Sequence, residues 1–155
     1  MAASVSYQVP GLSQPNSNLC WWTSFKMLTL YHRNQGVTVN QLRNIETHAN
    51  AMAIYTQNDG TSTEEIEEIA TDLGFSVLAA TLTGEGLLNL MEQNGPVMYC
   101  GYWPGGNGGH CVVLTGTDGQ YISVNDPWYG AQASRYRKLV SQVLIQDTAL
   151  VYYEQ

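Results

Sequence analysis

The hydrophobic pattern of this chain changes period near residue 75. Upstream, apolar residues recur at helical spacing. Downstream, the runs FSVLAATL, GPVMYCGYW, HCVVLTG, QYISVND and ALVYY alternate or cluster as strands do. Helices first and antiparallel strands second predict an α+β fold. The length of 155 residues fits one domain spanning 1–155.

The first strong helical segment covers residues 18–34. Asn16, Ser17 or Asn18 is placed to cap it, and Asn34-Gln35-Gly36 to stop it. Its apolar residues are Leu19, Trp21, Trp22, Phe25, Met27, Leu28, Leu30 and Tyr31. They surround the axis, which predicts a central, buried helix. Shorter helices are expected at about 38–53, 62–73 and 84–94. Ser62 or Thr63 caps the second of these, and Glu64, Glu65, Glu67 and Glu68 favour its positive end. Those acids read as a solvated helix face. Residues 1–17 read as an irregular arm. Residues 103–109 read as a flexible glycine-rich loop that leads into His110.

Charge removes several functions. The formal net charge is −7, with six Lys plus Arg, clustered only at Arg135, Arg137 and Lys138. A nucleic-acid partner lacks its basic footprint. No run approaches the ~18 apolar residues of a membrane span. The N-terminus has no basic and apolar segments of a signal peptide. Three cysteines, Cys20, Cys100 and Cys111, make neither a disulfide framework nor a four-cysteine zinc site. No C-x-x-C or H-x-x-x-H spacing exists with His32, His48 or His110, so neither metal nor cofactor is implied. Read as free thiols, the cysteines suggest a reducing compartment.

One reactive cysteine with a distant histidine remains as the chemical reading. Cys20 lies at the start of the buried helix, where backbone N–H groups and the helix dipole favour a thiolate. Gln14, in the arm, can donate its amide to a developing oxyanion, with the Cys20 N–H as second donor. His110 opens a strand, and Asn125-Asp126-Pro127-Trp128 closes the next, so a carboxylate there can orient the imidazole. Cys100 and Cys111, inside strand patterns, read as inert core thiols, with Cys111 facing away from His110. His32 and His48 read as structural or exposed. Trp21, Trp103 and Trp128 are candidates for the walls of a substrate cleft.

The pattern resembles the papain-like cysteine peptidases. Gln14, the run Asn18-Leu19-Cys20-Trp21-Trp22, the run Gly108 to Val113 and Asp126-Pro127-Trp128 carry the resemblance. The intervals of six from Gln14 to Cys20 and sixteen from His110 to Asp126 are similar to the family's. The resemblance implies a papain-like fold, with a helical half packed on a small antiparallel sheet. It also implies a Cys20–His110–Asp126 triad, an oxyanion hole at Gln14, no cofactor, and Trp128 as the indole shielding the His110 pair. Gln-Pro-Asn-x-x-x-Cys-Trp and Val-Asn-Asp-Pro-Trp look most like the compact bacterial effector or toxin proteases, which are related to bacteriocin-leader peptidase domains. That likeness implies secretion by a specialised system, action on protein substrates in a target cell's cytoplasm, and a cognate inhibitor or immunity protein. Two other classes stay open. One is an amide-directed enzyme on the same scaffold, namely a deamidase, transglutaminase or cell-wall peptide hydrolase. A net charge of −7 disfavours work on an anionic wall. The other is a non-catalytic binding module, against which the intact set of site residues argues.

Which residue orients His110 depends on strand register. A two-residue turn at Asp118-Gly119 pairs Thr117 with Gln120 and turns Asn125 toward His110. A three-residue loop pairs Gly116 with Gln120 and brings Asp126 opposite His110. Local rules do not decide. The resemblance favours Asp126, because Trp128 follows it by two places.

Overall fold

We describe a computed structural model covering residues 4–103, 109–128, 134–143 and 148–154. The element order is β1 (Val5–Ser6), α1 (Cys20–Asn34), a 3-10 turn (Ile45–Thr47), α2 (Ala49–Thr56), α3 (Thr63–Leu73), β2 (Ser76–Ala80), α4 (Gly84–Asn94), β3 (Val97–Tyr102), β4 (Gly109–Thr117), β5 (Tyr121–Asp126), β6 (Ser134–Leu139), α5 (Val140–Val143) and β7 (Thr148–Tyr152). The fold is α+β. The seven strands form one antiparallel sheet ordered β2-β7-β3-β4-β5-β6, with β1 paired to β4. The stretch expected as a helix at 38–53 breaks into turns, the 3-10 turn and α2. His48 accounts for the break: its Nδ1 accepts the Ala51 N–H and so starts a new helix there. The loop expected at 103–109 has residues 104–108 outside the described set.

The helix α1 is buried as its all-round apolar pattern predicts, with Trp21, Phe25, Met27 and Leu28 at most 1% exposed. It packs with α2 and α3 over one face of the sheet, against Met98, Cys100, Cys111, Val113, Ala149 and Val151. The alternate residues Val97, Tyr99, Val112, Leu114 and Leu150 face the other side, where α4 adds Leu87 and Met91 and α5 adds Val140 and Val143. The middle strands are therefore covered on both faces, a more enclosed sheet than a helical half on a small sheet.

Cys100 and Cys111 are direct partners across β3 and β4, with their Cα atoms 4.2 Å apart, and their sulfurs are joined as a disulfide. This corrects the reading of three free thiols: Cys20 alone is free, and the argument for a reducing compartment loses its basis.

The β4–β5 connection matches neither anticipated loop. Thr117 pairs with Ile122 and Gly116 with Ser123, while the next pairs are Leu114 with Val124 and Val113 with Asn125. Thr115 is thus an extra residue, a β-bulge. The turn itself is an Asx-type turn: Asp118 Oδ1 accepts the N–H groups of Gln120 and Tyr121. The arm holds the bulge in place, since the Tyr7 N–H donates to the Thr115 carbonyl at 2.8 Å. Only glycine fits beside it: a Cβ on Gly116 would lie 2.6 Å from the Val5 carbonyl oxygen.

Candidate active site

α1 begins at Cys20 itself. Leu19 is its N-cap, and no side chain caps it. The expected caps are engaged elsewhere. Asn16 Oδ1 accepts the Ser17 N–H, and Asn18 donates two hydrogen bonds to Asn58, which itself donates to the Ser17 hydroxyl. Asn58 adopts a left-handed φ of 52°, a conformation asparagine tolerates. The Trp21 indole N–H donates to the neighbouring Asp59 carbonyl. The turn after α2 therefore splints the residues that precede the thiol. The N–H groups of the first turn point into the region of Cys20, where the helix dipole favours negative charge.

His110 is the second residue of β4. Its Nε2 lies 2.8 Å from Asp126 Oδ1. Cys20, at the start of α1, lies near enough to act on the same imidazole. Burial alone would pull His110 down. The hydrogen bond with Asp126, the nearby Cys20 thiol and the charges of both outweigh burial and push it up to about 9.

Asp126 is 2% exposed. Burial alone would raise its pKa. Hydrogen bonds from His110, the Tyr136 hydroxyl and the Trp128 N–H, with the charge of His110, hold it below the ordinary 3.8. The bulge explains why this residue meets His110. Continued past Val113–Asn125, the register sets Asp126 opposite Val112, on His110's side of β4. Without Thr115, Asp126 would oppose Val113, and Asn125 would take that side. Asn125 instead faces away, 3% exposed, and its Nδ2 donates to the Val9 carbonyl at 3.0 Å.

Gln14 is brought to the same corner, because its backbone N–H donates to the Pro127 carbonyl at 2.8 Å. Its Nε2 donates to the Asn16 and Ser17 carbonyls at 2.7 and 2.9 Å. Both amide protons are thus engaged on the arm, and donation to an oxyanion requires one of these bonds to open.

The three tryptophans separate. Trp21 is 1% exposed and belongs to the α1 core, so it does not line a cleft. Trp103 is 4% exposed and also lines no open cleft. Its ring packs edge-on to His110, with centroids 6.3 Å apart. It occupies the shielding position expected of Trp128. Trp128 is 51% exposed and reaches the pair through its backbone N–H, which donates to Asp126 Oδ1 at 3.0 Å.

His48, Glu68 and Asp72 are the one group of metal-ligating types that cluster among the described residues. Their chemistry is that of a helix cap and a hydrogen bond. Nδ1 of His48 accepts from the Ala51 N–H, so Nε2 carries the proton and donates to Asp72 at 2.8 Å. No imidazole lone pair is left for an ion. Tyr136 and Asn58 are site-supporting residues that the sequence reading did not single out, and Asn125, weighed there only as a partner for His110, holds the arm instead. The Asn58-Asp59-Gly60 turn signal was visible there, and Tyr136 had no signal.

A family model described as "papain-like cysteine protease AvrRpt2" matches residues 3–141. The chain belongs to this family of papain-like cysteine proteases. No curated protein matches the sequence significantly. Several solved structures share the fold. A chain described as a C39-like peptidase from Bacillus anthracis superposes with a TM-score of 0.64 at 16% identity, covering 99% of this chain and 98% of that one. The peptidase domain of Streptococcus ComA, a bifunctional ABC transporter of a quorum-sensing pathway, gives 0.60 at 16%, covering 96% and 100%. A double-glycine-motif protease from an AMS/PCAT transporter, in complex with a leader peptide, gives 0.58 at 18%, covering 97% and 95%.

Proposed function

We propose that the protein is a cysteine endopeptidase that cleaves protein substrates with Cys20 as nucleophile, His110 as general acid and base, and Asp126 as orienting group. The observation that carries this reading is His110, its Nε2 2.8 Å from Asp126 Oδ1, with Cys20 near enough to act on the same imidazole. The imidazole takes the thiol proton, and the thiolate attacks the scissile carbonyl carbon. The oxyanion forms beside the Cys20 N–H, and Gln14 Nε2 joins it by releasing one arm carbonyl. The imidazolium then protonates the leaving amine, which departs as the C–N bond breaks. Water, deprotonated by His110, hydrolyses the thioester and returns the thiol. Asp126, ionised throughout, holds the ring in the tautomer that this exchange needs.

The leader peptide bound by the double-glycine-motif protease supports a peptide chain as substrate. The effector-like motifs around Gln14 and Asp126 support a secreted bacterial effector or toxin domain acting in a target cell. The test is a survey of new protein N-termini in lysate treated with the wild type or with Cys20→Ala. New termini that depend on Cys20 support the endopeptidase. Mass shifts of one dalton at glutamines, without new termini, would replace it with a deamidase.

A further inference from the structure

We propose that Tyr136, backed by Trp103, is the positioning residue that keeps Asp126 ionised and aimed at His110. This rests on Asp126 serving as the partner of His110 in catalysis. Tyr136 lies on β6 opposite Val124, and therefore on the same side as Asp126. Its hydroxyl donates to Asp126 Oδ2 at 2.6 Å. The Trp103 Nε1–H donates to the Tyr136 oxygen at 3.0 Å. The direction of this chain follows from chemistry alone. An indole N–H only donates and a carboxylate only accepts, so the tyrosine proton goes to Asp126.

The division of labour on the carboxylate matters. Oδ1 takes both the His110 Nε2–H and the Trp128 N–H. Two bonds on one oxygen leave the rotation of the carboxylate soft, since such terminal torsions have broad wells. The bond to Oδ2 comes from another strand and fixes the plane. A proton on Oδ2 would collide with the tyrosine's own, and a proton on Oδ1 would displace a donor. Trp103 closes the circuit by packing edge-on to both Tyr99, at 5.4 Å, and His110, at 6.3 Å. Among the described residues, the titratable groups facing Asp126 are His110 from β4 and Tyr136 from β6.

Steady-state kinetics across pH test this. Tyr136→Phe keeps the ring and removes the hydroxyl. The variant should lose about tenfold in kcat with KM within about twofold, what one hydrogen bond to a charged group is worth. The acid limb of kcat should move to higher pH by about one unit, because Asp126 then takes a proton more readily. Trp103→Phe should move the limb in the same direction by less. A role in stability alone would lower Tm and leave the limb in place. Parental kcat with an unmoved limb in Tyr136→Phe overturns the proposal. If Tyr136→Phe fails to fold, 3-fluorotyrosine at position 136 replaces it. That stronger donor should move the acid limb down, and an unmoved limb overturns the proposal. Asp126→Ala separates the two readings. If it is inactive while Tyr136→Phe behaves as the parent, the positioning role alone fails; if it is fully active, the triad fails too.

Discussion

Asp126 reaches His110 because Thr115 is one residue too many in β4. The extra residue reverses which of Asn125 and Asp126 shares His110's side of the sheet. Asp126→Ala should therefore lower kcat by roughly 10²–10⁴, the scale of proton-transfer and orienting groups. Asn125→Ala should keep the chemistry and lose about 1 kcal/mol of stability, because the Val9 carbonyl keeps only the longer bond from Arg135 at 3.4 Å. Assays and thermal melts on both variants check this. The reverse pattern would refute the register.

The pH dependence has two sides. His110 is raised to about 9, so its stabilising contribution is complete below the ordinary 6.5 and is lost as pH rises through about 9. Asp126 is lowered, so its contribution is complete above the ordinary 3.8 and is lost as pH falls through the depressed value. The alkaline limb of kcat/KM should lie near 9, where His110 of the free enzyme loses its proton. Removing the carboxylate in Asp126→Ala should lower the NMR-detected titration of His110. An unchanged His110 titration in that variant would contradict the pairing.

Gln14 offers a sharper kinetic test. Gln14→Ala should reduce kcat by about 10²–10³ with little change in KM, the usual loss for one oxyanion donor. Because its amide is bonded to Asn16 and Ser17, the variant should also loosen the arm, read as faster amide exchange at residues 14–18. Activity within threefold of the parent would reduce Gln14 to a strut of the arm.

His32 makes the fold sensitive to acid. It is fully buried, and among the described residues neither ring nitrogen has a partner. Burial lowers it from 6.5 to about 4. The unfolded chain therefore takes the proton first, and stability falls as pH drops from 6.5 toward 4, by roughly 3 kcal/mol in all. His32→Leu should flatten this slope in denaturant melts between those pH values. A slope equal to the parent's would remove His32 as its source.

Cysteine labelling should give different counts with and without reduction. An alkylating agent should modify Cys20 alone in the unreduced native protein and all three thiols after reduction and unfolding. Opening the Cys100–Cys111 bridge should cost about 2–4 kcal/mol, the usual range for a short closed loop. Three labels on native, unreduced protein would contradict the bridge.

Some of this architecture was legible in the residues. The buried α1 followed from apolar residues on all sides, and the capping box of Ser62 and Glu65 fell where serine and glutamate predict one. The thiol and imidazole stood out because few residue types can do nucleophilic work. What the sequence hid was non-local. The sequence SRYRKL carries three cations and lacks the usual strand pattern, yet it forms β6, an edge strand where outward charges are common. Missing β6 meant missing Tyr136. The bulge at Thr115 has no local signature, because Tyr7 holds it from more than a hundred positions away in sequence. The Cys100–Cys111 bridge depends on a cross-strand register that counting cysteines cannot supply.

The three residues from Asn125 to Pro127 serve two masters at once. Asn125 and the Pro127 carbonyl hold the arm that carries Gln14, while Asp126 holds the base. One clasp thus sets both the His110–Asp126 pair and the arm that leads into Cys20. A chain whose β5 has not yet docked carries a thiol with no oriented base and an arm with no anchor. Docking of β5 therefore supplies the partner of His110 and the anchor of the Gln14 arm together.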